Sequence, residues 1–123
     1  MQGLLDIARA FLQAARSELE EGLTENNYVK VREAAEKAWN AVVQATDHAM
    51  NAHGRIPGPG AFAHRSRRTF LEGVGRMDLA SDYTYFAERL HGDVFYAGES
   101  IPAETARRLL DEVEDYIRKV STL

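Results

Sequence analysis

Cysteine is absent from the 123 residues. This excludes disulfides, thiolate metal sites and a cysteine nucleophile, and it fits a reducing compartment. Long apolar runs are absent too. The opening segment, MQGLLDIARAFLQAARSELEEG, has acids among its apolar residues, so it reads as neither a signal peptide nor a membrane span. A cytoplasmic address and no membrane partner are expected. Period-two alternation, the mark of a half-buried strand, is nowhere sustained. Catalytic signatures are also missing. Ser66 and Ser81 have no His/Asp pair at a recognisable spacing and no nucleophile elbow. The turn GRIPGPG lacks both the Lys-Ser/Thr ending and the preceding strand of a phosphate-cradling loop. Glu88 and His91 form one E-x-x-H, whereas a di-metal bundle needs two such pairs and two further glutamates on facing helices. His48 and His53, five apart, lie about 140° apart around a helix and do not converge. No catalytic residue, cofactor or metal ligand is therefore assigned.

What is present is helical periodicity in a chain 45% hydrophobic and 28% charged, enough for one ordinary core and a single domain over residues 1–123. Leu4, Ile7, Ala8, Phe11, Leu12, Ala15 and Leu19 recur at three- and four-residue steps, and Gly22 is expected to stop that helix in the left-handed conformation. Asn26 or Asn27 can cap a second helix, about 28–52, whose stripe of alanines surrounds Trp39. The run from His53 to Gly60, with Pro57 and Pro59, is a clear break. A third helix, about 62–76, turns Phe70, Leu71, Val74 and Met77 inward. Asp78 can cap a fourth over about 79–97, lined by Tyr83, Phe86, Leu90 and Val94. Pro102 sits near the start of a last helix whose stripe runs from Ala106 to Val120. The expected fold is all-α, an antiparallel up-and-down bundle of about five helices built around Phe11, Ala35, Trp39, Val42, Phe86, Leu90, Leu109, Val113 and Ile117.

One asymmetry stands out. Residues 55–76 carry five arginines, at 55, 65, 67, 68 and 76, against the single acid Glu72, a local +4 in a chain of net −4. Concentrated positive charge favours anions, whether phosphates or an acidic protein surface. On the third helix His64 and Arg68 are four apart and Arg65 and Arg68 three apart, so each pair shares a face while Arg67 points elsewhere. That gives an anion-binding edge near a helix N-terminus, whose dipole adds to the attraction. A solvated face that keeps the protein soluble is the alternative. Tyr83, Tyr85, Phe86, Phe95 and Tyr96 concentrate aromatics on the fourth helix. Stacking on bases is one use for them, but helical spacing favours packing in the core or at a dimer interface. The second and fourth helices carry more apolar surface than one core needs, so a homodimer is expected.

Three ordered segments resemble the HEPN superfamily of helical bundles, in particular its archaeal PaREP-type branch. The run 27–39, NYVKVREAAEKAW, is similar to that family's second-helix opening, with its A-x-E-K-x-W pattern. The run 64–70, HRSRRTF, is similar to the S-H-R-containing start of the third helix. The run 89–96, RLHGDVFY, looks like the L-H-x-N/D-F-Y segment near the end of the fourth, with Val94 as one residue in excess. The resemblance implies a dimerising bundle with a nucleotide- or RNA-related role or a nucleotidyltransferase partner. It also makes His64 and Arg68, together with His91, Asp93 and Tyr96, the positions to carry as a site, although His91 and Asp93 could instead only fix a helix end. Ribonuclease members place a His four to six residues after an Arg, and no Arg here has a His at that distance. The expected function is thus a non-catalytic module that binds a nucleotide, RNA or an acidic protein through His64, Arg65, Arg68, His91, Asp93 and Tyr96. The alternative is a ribonuclease or toxin-like component, or a subunit paired with a minimal nucleotidyltransferase.

Overall fold

The computed structural model describes residues 3–123. α1 spans Leu4–Thr24, α2 Tyr28–Ala52, α3 Ala61–Gly73, α4 Met77–Phe86 and α5 Ala103–Val120. Without a break, α4 runs on into a π-helical segment, Ala87–Tyr96. There is no strand among the described residues, and the fold is an all-α bundle, as the periodicity predicts. None of the described helices is long and apolar enough to cross a membrane.

α2 is the central element, contacting α1, α3, the π segment and α5. Its sequence explains why. Ala34, Ala35, Ala38, Ala41, Ala45 and Ala49 are all buried, so neighbouring backbones approach closely, and Trp39 supplies the bulk. α5 packs on α1 and α2 through Leu109, Leu110, Val113, Ile117 and Val120, all buried. One polar pair sits inside this core. The Thr46 hydroxyl donates to the Val42 carbonyl at 2.7 Å, so the Tyr116 hydroxyl, 2.7 Å away, must donate to Thr46. Burial raises the Tyr116 pKa above the usual phenol value. Of the predicted core residues only Phe11 is half-buried rather than buried.

The turn between α1 and α2 differs from expectation. Gly22 does not end α1, which continues to Thr24; the left-handed residue is Asn26, at φ 53°. Gly22 is there for closeness. A Cβ on it would lie 3.0 Å from the Asn27 carbonyl oxygen and 3.0 Å from Lys30 Cβ. Asn27 is the cap of α2, its side chain accepting from the amides of Val29 and Lys30. Two inward assignments on the third helix also fail. That helix ends at Gly73, so Val74 and Met77 fall in and after the turn, and Met77 is 59% exposed. Asp78 lies inside the first turn of α4 rather than capping it. Hydrogen bonds from Arg76 hold its carboxyl down at about 2.

Candidate functional site

α3 and the π segment meet above Trp39 of α2, and this brings two histidines from distant parts of the chain together. The His64 ring centroid lies 5.7 Å from that of Trp39, and the His91 centroid 6.0 Å. Trp39 itself is only 4% exposed, so it forms the floor.

The His64 side rests on an arginine that the helix spacing sends elsewhere. Arg67 does not point to solvent: it is 8% exposed and turned toward α2. There Nε and Nη2 donate to the two carboxylate oxygens of Asp47 at 2.8 and 3.2 Å, a fork-on-carboxylate pair. The reason is packing. α3 buries Ala63, Phe70 and Leu71, and Arg67 lies in the middle of that face. Its third nitrogen, Nη1, donates to the Tyr83 hydroxyl at 3.1 Å, and Tyr83 Oη lies 2.7 Å from His64 Nδ1. Arginine can only donate, so the Tyr83 hydroxyl accepts from it and turns its own proton to His64. His64 Nδ1 is then an acceptor, which leaves the ring proton on Nε2. Partial burial, then the charges of Arg67, His91 and Arg68, hold the His64 pKa below its ordinary value. Burial likewise raises Tyr83.

His91 is bound in the opposite sense. The Glu36 carboxylate oxygens lie 2.8 and 3.1 Å from Nδ1, so Nδ1–H donates to them and neutral His91 presents the Nε2 lone pair. Phe95 stacks at 6.1 Å and 20° on one side of the ring, and Tyr96 meets it edge-on at 4.9 Å. Residues four and five ahead can both reach His91 because the hydrogen bonds here run i→i+5, and the wider turn sets those two residues on either side of residue i. Tyr96 is 69% exposed and carries the aromatic surface outward.

The six residues picked from the sequence therefore divide. His64, His91 and Tyr96 come together around Trp39, with Arg68 near enough to act on the His64 charge. Asp93 turns away and pairs with Arg89 at 3.0 Å. Arg65 and Arg68 line a cleft of about 580 Å³ between α3 and α4, together with Glu72, Ser81, Tyr85 and Glu88. Arg65 also borders a smaller cleft of about 200 Å³ with Arg55, Ile56 and Phe62. Within the basic stretch Arg67 and Arg76 have acidic partners, whereas Arg65 and Arg68 have none among the described residues. The E-x-x-H pair is split: Glu88 faces the larger cleft and His91 faces Glu36. The aromatic concentration on the fourth helix divides too, with Tyr83 and Phe86 buried within this chain and Tyr85 and Tyr96 exposed.

Sequence reading missed Glu36, Asp47, Arg67 and Tyr83. A signal for the first two was present: Arg32, Glu36 and Asp47 stand four and eleven residues apart, so a line of charge runs along one face of an otherwise alanine-rich helix. No protein-family model matches the chain, and neither a curated protein nor a solved structure matches it.

Proposed function

We propose that the protein is a HEPN-like, non-catalytic binding module for phosphate-bearing ligands, nucleotides or single-stranded RNA, which it takes on the face built from His64, Arg68, His91 and Tyr96. One observation carries this reading: two imidazoles from separate elements share one aromatic floor, one offering an Nε2–H donor and the other an Nε2 acceptor. Beside them Arg65 and Arg68 have no acidic partner, so their charge is available to a phosphate, and the exposed Tyr96 ring offers a stacking surface. Binding without hydrolysis follows from the same hydrogen bonds. His64, kept neutral with its proton on Nε2, is a poor general acid, and acid–base cleavage needs one protonated partner. Glu72 and Glu88 in the larger cleft reduce the positive field there, which favours the histidine face over the cleft. The protein acts as a homodimer in this proposal. The exposed Ile56, Phe62, Met77 and Tyr85 side chains supply apolar surface for it, and sedimentation at micromolar concentration giving only monomer would remove that part.

The test is a thermal-shift and titration series with inorganic phosphate, ATP and a short oligouridylate. Stabilisation should fall steeply as salt rises, since each neutralised phosphate releases counterions. Arg65→Ala/Arg68→Ala protein should bind more weakly at unchanged stability, because exposed helix positions tolerate such changes within about 0.5 kcal/mol. Equal shifts for the two proteins, or none for any probe, would refute the module. A second reading, metal-independent RNA cleavage, draws on Glu36 orienting His91 as a base. Cleavage of the oligouridylate that is abolished by His91→Gln would establish it in place of the first.

A further inference from the structure

The histidine face depends on a backbone geometry that must be held in place. Successive turns of α2 do this at three points. The Tyr28 hydroxyl donates to the Glu99 carbonyl. Arg32 donates through Nε and Nη2 to the Phe95 carbonyl at 2.9 and 2.5 Å, and through Nη2 to the Tyr96 carbonyl at 3.2 Å. Glu36 holds His91. Residues 28, 32 and 36 are each four apart, so one helix face carries all three. The carbonyls taken by Arg32 are those of the last residues of the π segment, which have no partner within it. Beyond them the chain turns at Gly98, φ +67°, where a Cβ would lie 3.4 Å from Arg32 Cζ. Glycine there leaves room for the guanidinium to lie flat against the backbone. The segment also contains Val94, the residue in excess of the L-H-x-N/D-F-Y pattern, fully buried at 0% exposure. A π turn takes up one residue more than an α turn does.

We propose that Arg32 is the positioning residue of the ligand face: by gripping the Phe95 and Tyr96 carbonyls it holds the π register that sets both rings around His91. This rests on the reading that the face binds a ligand, but it makes a claim of its own about His91. In an α turn only one of residues 95 and 96 would stay over His91, and the exposed ring would swing off the Trp39 floor. Arg32 touches no ligand in this scheme. It acts through the backbone, and the fork geometry of the guanidinium is what lysine cannot supply.

The experiment compares wild type with Arg32→Gln and Arg32→Lys by proton–carbon NMR of the imidazole rings, well below each melting temperature, together with oligouridylate titration. In wild type the His91 ring protons should be displaced by the neighbouring aromatic rings. In both variants they should move toward the positions of a free imidazole, while those of His64, fixed by Tyr83 and Arg67, stay. Oligouridylate affinity should fall about tenfold, the scale of one lost hydrogen-bonded charge contact. If the variants melt lower but the His91 signals do not move, Arg32 is only a structural tie and the proposal fails. If Lys restores both readouts, a bare cation suffices and the fork argument is wrong. If the His91 signals move but wild type binds no oligouridylate, Arg32 still sets the geometry, and it is the ligand reading that falls.

Discussion

Removing the Asp47 carboxylate should be among the most damaging single polar changes in this protein. Arg67 and Asp47 have side chains 9% and 17% exposed, so the pair is mostly withdrawn from water. Burial opposes the Arg67 charge, and the hydrogen bonds from Asp47 and Tyr83 outweigh it, raising its pKa. With Asp47→Ala the guanidinium retains only the Tyr83 hydroxyl and a weak contact to His64. Breaking such a pair from one side destabilises by about 3 kcal/mol, the low end of the buried range, because the Asp47 site keeps some water access. Arg67→Met should do less, about 2 kcal/mol, since the carboxylate it strands can rehydrate. The double variant removes both charges and should be more stable than Asp47→Ala alone, leaving a coupling of about 2 kcal/mol.

Urea unfolding can follow Trp39, the single tryptophan, which is buried beside Tyr83 at 5.2 Å, with far-UV dichroism as a second probe. The half-exposed pair Arg107–Glu20 serves as the control, and Glu20→Gln should leave stability unchanged within error. If Asp47→Ala fell within about 0.5 kcal/mol of wild type, the pair would be effectively solvated. The hydrogen-bond chain from Asp47 through Arg67 and Tyr83 to His64 could then no longer be what fixes the His64 tautomer.

Two further outcomes can be measured on the same variants and instruments. Gly22→Ala should destabilise despite alanine's helix preference of about 1 kcal/mol, because the new Cβ meets backbone at 3.0 Å; a rise in midpoint would show that the α1–α2 crossing yields easily. His64 has its folded pKa below the ordinary 6.5, so the unfolded chain binds more protons in that interval. Its contribution is therefore complete above about pH 6.5 and is lost as pH falls through the depressed folded value. Melting temperature should drop on acidification in wild type and drop less in His64→Gln, and identical profiles would contradict the assignment.

Much of the fold was legible because it depends on period. The stripes of α2 and α5, with Trp39, Val42, Leu109, Val113 and Ile117, repeat at helical steps long enough to survive errors at the ends. The errors cluster where spacing has no say. Gly22 carries the usual signal of a helix stop, yet here it serves a close helix crossing, which depends on what lies across the gap. Arg67 reads as solvated because arginines usually are, and only the position of Asp47 twenty residues earlier makes its burial affordable. A buried charge is a property of a pair, and helical phase within one helix places only one member of it.

The π segment marks the same boundary more sharply. On α-helical spacing, residues 91 and 95 share a face and residue 96 does not, so Phe95 reads as packing beside His91 and Tyr96 as unrelated. The wider turn changes the phase, and both rings close on His91. Nothing within 87–96 demands that turn by composition. What holds it lies outside the segment: Arg32 on its terminal carbonyls, Glu36 on His91, and the flat space at Gly98. The tenth residue of a sequence pattern, Val94, is buried between them without distorting either neighbouring helix. The site geometry is therefore specified jointly by α2 and the π segment, and a substitution on α2, far from the arginine-rich stretch, should alter the histidine face more than any change within that stretch except at Arg67.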